Sequence, residues 1–561
     1  MASMQKRRRS WAECWRGFAA AAALFSTLSA DVGATQASSP ETAATLTGHA
    51  LRLDQERKIL SWVEPQAAAY ATVVRLAWEA LLTRFPVEAN GLRTWQSFCC
   101  FDGKTLRGGA WPHNPASFHA GLTQGAADHY AYSGDRRVVD FMRRVLDYHL
   151  ANGTTPSDPS WAWPSVPYAS ADHGDVRYRG AHDFRYADPK EPVPRLGRGD
   201  GYGVIEPDKV GEMGVAYLTS WKLTGDLRFR DAALACAHAL ARHVRAGDAE
   251  RSPWPFRVVA ETGFVREDYG ANLGPTLRLF DELGRLGLGE VDAWRRARKV
   301  AWDWLAAHPL QTDAWANYFE DLFWLPKPTN LNQYDAGEMA RYLLGNPDRD
   351  PDWREHAAHL IAWIERSFGG DTEKEKGVQW GAITISEQVE YMYKMGSHTA
   401  RFASLMAVFH EKTRDVAARE KAFRSFNWAS YMCDERGIVR VGPTESSFWF
   451  SDGYGDYVRH FTAGLGAVPE WAPPGEDHLL RSSSAVPEVD YARGRVRYRT
   501  FDDAGEEVLR LSFTPRTVVA DGADTGRPSE AVRWTFDPKT GVLRVRRTGA
   551  RTVVITARSP R

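Results

Sequence analysis

The chain has 561 residues, 43% hydrophobic and 12% aromatic, which is enough apolar material for a large buried core. Its 71 Lys and Arg balance 71 Asp and Glu, so it lacks the overall field by which nucleic-acid or anionic-membrane binders hold their partners. After the N-terminus no stretch approaches the ~20 uninterrupted apolar residues of a membrane span, so no insertion is expected once the chain is processed.

Lys6-Arg7-Arg8-Arg9, an apolar run from Gly17 to Leu28 and small residues ending in Thr35-Gln36-Ala37 have the order of a secretory signal with its cleavage site. Residues 1–37 are therefore expected to be a signal peptide, and the polar stretch 38–61 a flexible leader. The unit that follows is clearest from Gly214 to Val244: a helix, a tight Thr224-Gly225-Asp226 turn, and a second helix with Phe229, Ala233, Cys236 and Leu240 on one face. It recurs around Ser133-Gly134-Asp135 and, more loosely, at Gly287–Glu290, Gly345–Asp350 and Thr413–Asp415. Outer helices are predicted near 62–84, 136–152, 227–244, 291–307, 352–367 and 415–432. Their partners, near 118–133, 207–224, 271–287, 333–345, 397–413 and 455–468, are small and apolar all round, as an inner ring requires. Short turns lead from partner to next outer helix, and long segments lead back, so all long loops gather at one end. The expectation is a mainly α fold, an (α/α)6 toroid over 62–471.

Pro473-Pro474-Gly475 and Ser482-Ser483-Ser484 suggest a linker over 472–489. Alternating runs at Arg495–Phe501, Glu507–Phe513, Trp534–Phe536, Val542–Val545 and Arg551–Ala557 then predict a small antiparallel β domain over 490–561. Of the five cysteines, Cys236 and Cys433 lie on apolar helix stripes, and the absence of C-x-x-C argues against zinc or thiol redox chemistry. No phosphate-cradling or calcium-loop pattern occurs, so neither cofactor nor metal is expected.

The long segments hold Trp95, Trp111, Trp161, Trp163, Trp254, Trp315, Trp324, Trp380 and Trp449, flat platforms suited to sugar rings. They also hold acids among aromatics: Glu320 in Asn317-Tyr318-Phe319-Glu320-Asp321, Asp452 in Trp449-Phe450-Ser451-Asp452-Gly453-Tyr454, and Glu387. Aromatic surroundings raise a carboxyl pKa, as a general acid needs. Glu320 is expected as the protonated acid, Asp452 as the ionised base or nucleophile, and Glu387 as the reserve for either. Trp111, Trp254, Tyr318, Trp380, His398, Arg401, Trp449 and Tyr454 are the expected substrate contacts. His398 opens an inner helix as a base or hydroxyl donor, and Arg401 is placed to meet a uronate or a neighbouring acid. Glu206, Glu212 and Asp456 are read as helix-capping or first-turn acids.

Six hairpins, acid- and aromatic-rich loops, a C-terminal β domain and texture such as Leu223-Thr224-Gly225-Asp226 resemble the six-hairpin glycosidase superfamily. That resemblance implies a carbohydrate substrate and an enzyme among glycosidases, unsaturated uronyl hydrolases, uronate lyases and sugar epimerases. Glycoside hydrolysis is the reading preferred, with a uronate lyase using a Tyr or His base as the alternative and a non-catalytic sugar-binding protein as the third. Mass spectrometry of the native exported protein is expected to find an N-terminus near Ser38; an intact Met1 on the soluble protein would overturn the signal assignment.

Overall fold

A computed structural model describes residues 45–98, 100–109, 113–172, 174–181, 201–317, 330–370, 380–389, 391–443, 448–450, 452–520 and 532–557. Its long helices are α1 (Ala69–Glu79), α2 (Pro115–Ser133), α3 (Arg136–Asn152), α4 (Pro207–Thr224), α5 (Leu227–His243), α6 (Gly274–Leu286), α7 (Val291–Ala307), α8 (Gln333–Gly345), α9 (Trp353–Phe368), α10 (Gly396–Thr413), α11 (Val416–Ser430) and α12 (Asp452–Ala467). The even-numbered helices touch one another in the cycle α2, α4, α6, α8, α10, α12 and back to α2, and each carries an odd-numbered helix on its outside. The first helix packs against the last, and so the ring closes as an (α/α)6 toroid.

Side-chain pattern decides which helix lies where. In α3 the residues Val138, Phe141, Met142, Val145 and Leu146 form one buried face, and arginines and aspartates the other. In α10 every residue from Ser397 to Ala407 except His398 is buried, because that helix has neighbours on all sides.

The short turns repeat one device. Gly134 and Gly225 end α2 and α4 in the left-handed region, at φ 73° and 76°, where a side chain would be strained. The Ser133 and Thr224 hydroxyls donate back to the carbonyls of His129 and Ser220. Asp135 and Asp226 then cap α3 and α5 by accepting the Arg137 and Arg228 amides. Those same arginines reach the preceding outer helix, Arg137 to Glu79 at 3.0 Å and Arg228 to Asp147 at 3.0 Å.

The long segments form small antiparallel ribbons at the other end. Val204–Ile205 pairs with Arg257–Val259, which pairs with Val265–Glu267; Ala316–Asn317 pairs with Asn330–Leu331, Ser386–Gln388 with Tyr391–Lys394, and Cys100–Asp102 with Phe448–Phe450. Two sequence expectations change here. Residues 45–61 do not behave as a flexible leader: Ile59 is fully buried, its carbonyl accepts from Arg424 and Asn427, and His49 stacks on Trp62 at 4.0 Å. The expected linker carries strands, because Leu479 and Val486 are apolar anchors for a second core.

The C-terminal strands are β1 (His478–Ser482), β2 (Glu488–Ala492), β3 (Arg495–Arg499), β4 (Gly505–Arg510), β5 (Pro515–Ala520), β6 (Val532–Asp537), β7 (Val542–Arg547) and β8 (Thr552–Ala557). They form two antiparallel sheets, ordered β1-β4-β7-β6 and β2-β3-β8-β5. Arg547 and Glu507 are buried together, with Nε to Oε2 at 2.9 Å and Nη2 to Oε1 at 2.8 Å. The remaining Arg547 donors reach the carbonyls of Asp502 and Ala550, which satisfies the guanidinium. The sheets dock on the short-turn end of the toroid. His478 stacks on Tyr132 at 3.8 Å, Arg481 pairs with Glu411, and Arg285 pairs with Asp502 at 2.9 Å.

Four buried histidines flank α2: His113, His119, His129 and His149. Burial lowers His113 and His149 to about 3 and His129 to about 4, and places His119 well below the usual imidazole range. Each is neutral in the fold, whereas the unfolded chain protonates it near 6.5, so stability falls as pH drops from there towards the folded values. The slope is about 1.4 kcal/mol per pH unit for each histidine. Urea midpoints are therefore expected to fall steeply between pH 6.5 and 4, with His149→Gln flattening the slope. A midpoint constant over that interval would contradict the buried neutral cluster.

Candidate active site

The long loops deliver the first turns of α4, α6, α8, α10 and α12 to one end of the ring, and their polar side chains meet around the axis. Proline at the first helical position starts α4, and Asn332 caps α8 by accepting the Asp335 amide at 3.0 Å. Six helix N-termini favour anions, and the acids gathered there are Asp208, Glu212, Asp335, Glu338 and Asp456.

On the α4 side, Asn272 donates to Asp208 Oδ2 at 3.1 Å and to Glu212 Oε1 at 2.9 Å. Lys209 Nζ lies 3.2 Å from the same Asp208 oxygen and 3.5 Å from the same Glu212 oxygen. The two carboxylates thus share two donors and stand no more than about 6 Å apart. Burial raises Asp208; Lys209, although desolvated, is held well above its usual value by the charges of Asp208 and Glu212. The Tyr334 hydroxyl donates to Glu212 Oε1 at 2.7 Å and ties α8 to α4.

Two acids one turn apart on α8 are driven in opposite directions. Asp335, only 1% exposed, accepts from the Asn317 amide at 2.9 Å and the Asn332 amide at 3.2 Å. Burial pushes it up to about 8, so it is mostly protonated at pH 7. Glu338 is equally buried, yet Arg278, Arg459 and Arg341 together outweigh the desolvation and keep it ionised. Arg278 reaches Glu338 Oε2 at 2.7 Å, and Arg459 reaches Oε1 at 3.4 Å.

On the α10–α12 side, Arg401 is 2% exposed and ion-paired with Asp456 Oδ2. It also donates to Gln333 Oε1 at 3.0 Å and lies over the Tyr334 ring at 4.5 Å. Asp456 is a second-turn residue bound by Arg401 and Arg459, not a helix cap. Glu206 does occupy the N-cap position of α4, but its side chain takes the Arg257 Nε at 3.1 Å instead of a helix amide, and Glu212 lies in the second turn; Arg257, which has no exposed surface, also holds Glu267 at 2.5 Å.

Several expected contacts are placed elsewhere. Trp254 is a core residue, 2% exposed, with its indole N–H on the Leu240 carbonyl at 2.8 Å. Trp95, Trp163 and Trp315 are likewise buried. The Tyr454 hydroxyl is consumed by the Val439 amide at 2.8 Å and the Gly437 carbonyl at 3.2 Å, and burial drives its pKa far up. Trp380 stays half-buried at the rim, its carbonyl accepting from the Ile59 amide. His398 lies in the first turn of α10, near Arg401, as expected. Glu387 sits in the ribbon whose Gln388 bridges to Asn332, beside the Asp335 network. Trp111, Tyr318, Glu320 and Trp324 lie outside the described residues, as do the side chains of Trp449 and Asp452.

The residues missed by sequence reading, Asp208, Lys209, Tyr334, Asp335, Glu338 and Arg459, share one signal. Each is polar on a helix expected to be buried all round, and such a side chain has only the axis to face.

No family model and no curated protein matches the chain. Among solved structures, the chain is similar to a D-mannose isomerase at 11% identity over 71% of this chain and 97% of that one, with a TM-score of 0.49. It is similar to a GH76 α-mannanase from Bacteroides thetaiotaomicron at 11% identity over 70% and 95%, TM-score 0.46. An unsaturated glucuronyl hydrolase specific for heparin matches at 12% identity over 71% and 96%, TM-score 0.43. At these values the likeness concerns the course of the helices and assigns no activity.

Glu338 anchors three arginines, and its removal strands them in a poorly solvated place. Glu338→Ala is expected to cost about 3–5 kcal/mol in urea denaturation. A cost below about 1 kcal/mol would mean that solvent reaches the trio.

Proposed function

We propose that the protein is an exported carbohydrate-active enzyme, a glycoside hydrolase that cleaves an oligo- or polysaccharide at the polar cluster around the axis. The observation that supports hydrolysis is the gathering of several carboxyl groups around one axis, one of them pushed up by burial to about 8. Asp335 is held protonated near neutral pH by burial, while the Asp208–Glu212 pair surrounds a permanent Lys209 cation. Glycosidic cleavage needs such a complement: a carboxylic acid that protonates the departing oxygen and a carboxylate that serves water or the anomeric carbon. Asp335 is the proton donor in this reading. Glu212, within hydrogen-bond reach of Tyr334 and Asn272, is its partner. Glu320 and Asp452, with Glu387 in reserve, form the competing pair carried by the loops.

The uronate lyase is less well supported. It needs a Tyr or His base and a free cation, whereas the Tyr454 hydroxyl is spent on backbone and Arg401 is engaged by Asp456. A non-catalytic binder has no use for a carboxyl kept protonated at the axis.

A screen of poly- and oligosaccharides with mass analysis of the products tests all three. Hydrolysis adds the elements of water, a lyase leaves an absorbing unsaturated uronate, and a binder leaves the glycan intact. Asp335→Asn and Glu212→Gln are expected to lower kcat about 10²–10⁴-fold while the fold survives. If they turn over normally and Glu320→Gln and Asp452→Asn do not, the catalytic pair lies in the loops.

A further inference from the structure

His398 has two ring nitrogens in different surroundings. Arg401 Nη1 lies 3.3 Å from His398 Nδ1. A guanidinium has no lone pair to offer and only donates, so Nδ1 is the acceptor. The ring is neutral, because burial and the nearby Arg401 charge hold its pKa well below the usual imidazole range. A neutral ring whose Nδ1 accepts carries its hydrogen on Nε2.

Arg401 has little freedom to do otherwise. Asp456 pairs with its Nη2, Gln333 Oε1 takes Nη1 at 3.0 Å, and Tyr334 lies beneath its plane. His460, on the neighbouring inner helix, is a useful contrast. Its Nδ1 also faces a guanidinium, Arg341 Nη2 at 3.1 Å, but its Nε2 has polar company, Asp456 Oδ1 and Arg459 Nη2 each at 3.5 Å. His398 Nε2 is buried and, among the described residues, has no hydrogen-bond partner. A buried donor left without an acceptor is destabilising until a ligand supplies one.

From this arrangement we infer that Arg401 is a positioning residue that locks His398 into the Nε2–H form, so that His398 meets the sugar as a neutral hydrogen-bond donor to a hydroxyl or ring oxygen and not as a base. The ligand part of this inference rests on reading the axial polar cluster as a sugar site; the tautomer does not. Asp335 then remains the proton source, and His398 supplies orientation.

Two measurements decide it. In ligand-free protein labelled with ¹⁵N-histidine, the His398 signals, assigned by their loss in His398→Gln, are expected to report an unprotonated Nδ1 and a protonated Nε2 at pH 7. Arg401→Met is expected to release the ring into a mixture of tautomers; should that variant not fold, Asp456→Asn, which loosens Arg401, is read in the same way. A protonated Nδ1 in the wild type, or a tautomer indifferent to both variants, overturns the inference. With a pool of mannose-, glucose- and uronate-containing oligosaccharides as probe, His398→Gln places an amide N–H near the Nε2 position and is expected to keep turnover within about tenfold. His398→Asn lacks that reach and is expected to lose about 10–100-fold, as for one hydrogen bond and its stranded partner. Equal losses in the two variants reject the donor role. A wild type inactive on the whole pool would sink the proposed function and leave the tautomer measurement to decide this inference.

Discussion

The molecule depends on one constraint: six helices start at the same place, around an axis too narrow for each to keep its own water. Most polar groups brought there are paired with a group from another element. Asn272 serves acids of α4, Tyr334 of α8 reaches Glu212 of α4, and Arg401 of α10 reaches Asp456 of α12. The ring is therefore held at this end by charge and hydrogen bonding, and along its length by apolar packing. Buried ion pairs of this kind add little net stability compared with well-packed apolar groups, but breaking one strands its partner. Their value lies in fixing side chains where a substrate would meet them.

The two ends of the toroid do different work. At one, short turns are closed by a hydroxyl, a glycine and a capping aspartate, and the C-terminal sheets seal the surface through His478, Arg481 and Arg285's partner Asp502. At the other, long segments cross the rim in ribbons only two or three strands wide. Rigid backing and variable loops are the usual division in a scaffold that carries a site.

The fold was legible because its signals are local. Period and turn residues place α5 at Leu227–His243 against an expected 227–244, and α8 at 333–345 as expected. The site was legible only in part. Trp254 and Tyr454 have the chemistry of sugar platforms, but sequence carries no depth, and both are pinned inside by backbone partners. Lys209, Glu338 and Arg459 have spacings common on solvated helix faces, and only their place on helices read as inner ones hints at a different role. What distinguishes them is the company they keep across the ring, and that is a property of closure.

Closure also orders events in time. The surface of α1 that faces inward is covered by α12 and by α11, whose Asn427 and Arg424 bind the Ile59 carbonyl. Those partners lie more than 350 residues later, as the Ser61–Ser430 hydroxyl pair shows directly. During synthesis the first helix therefore waits, with Tyr70 uncovered, until almost the entire helical region has been made. Long-range contacts of this kind slow folding and expose apolar surface meanwhile. A nascent chain with an open seam is exposed to aggregation until the ring shuts.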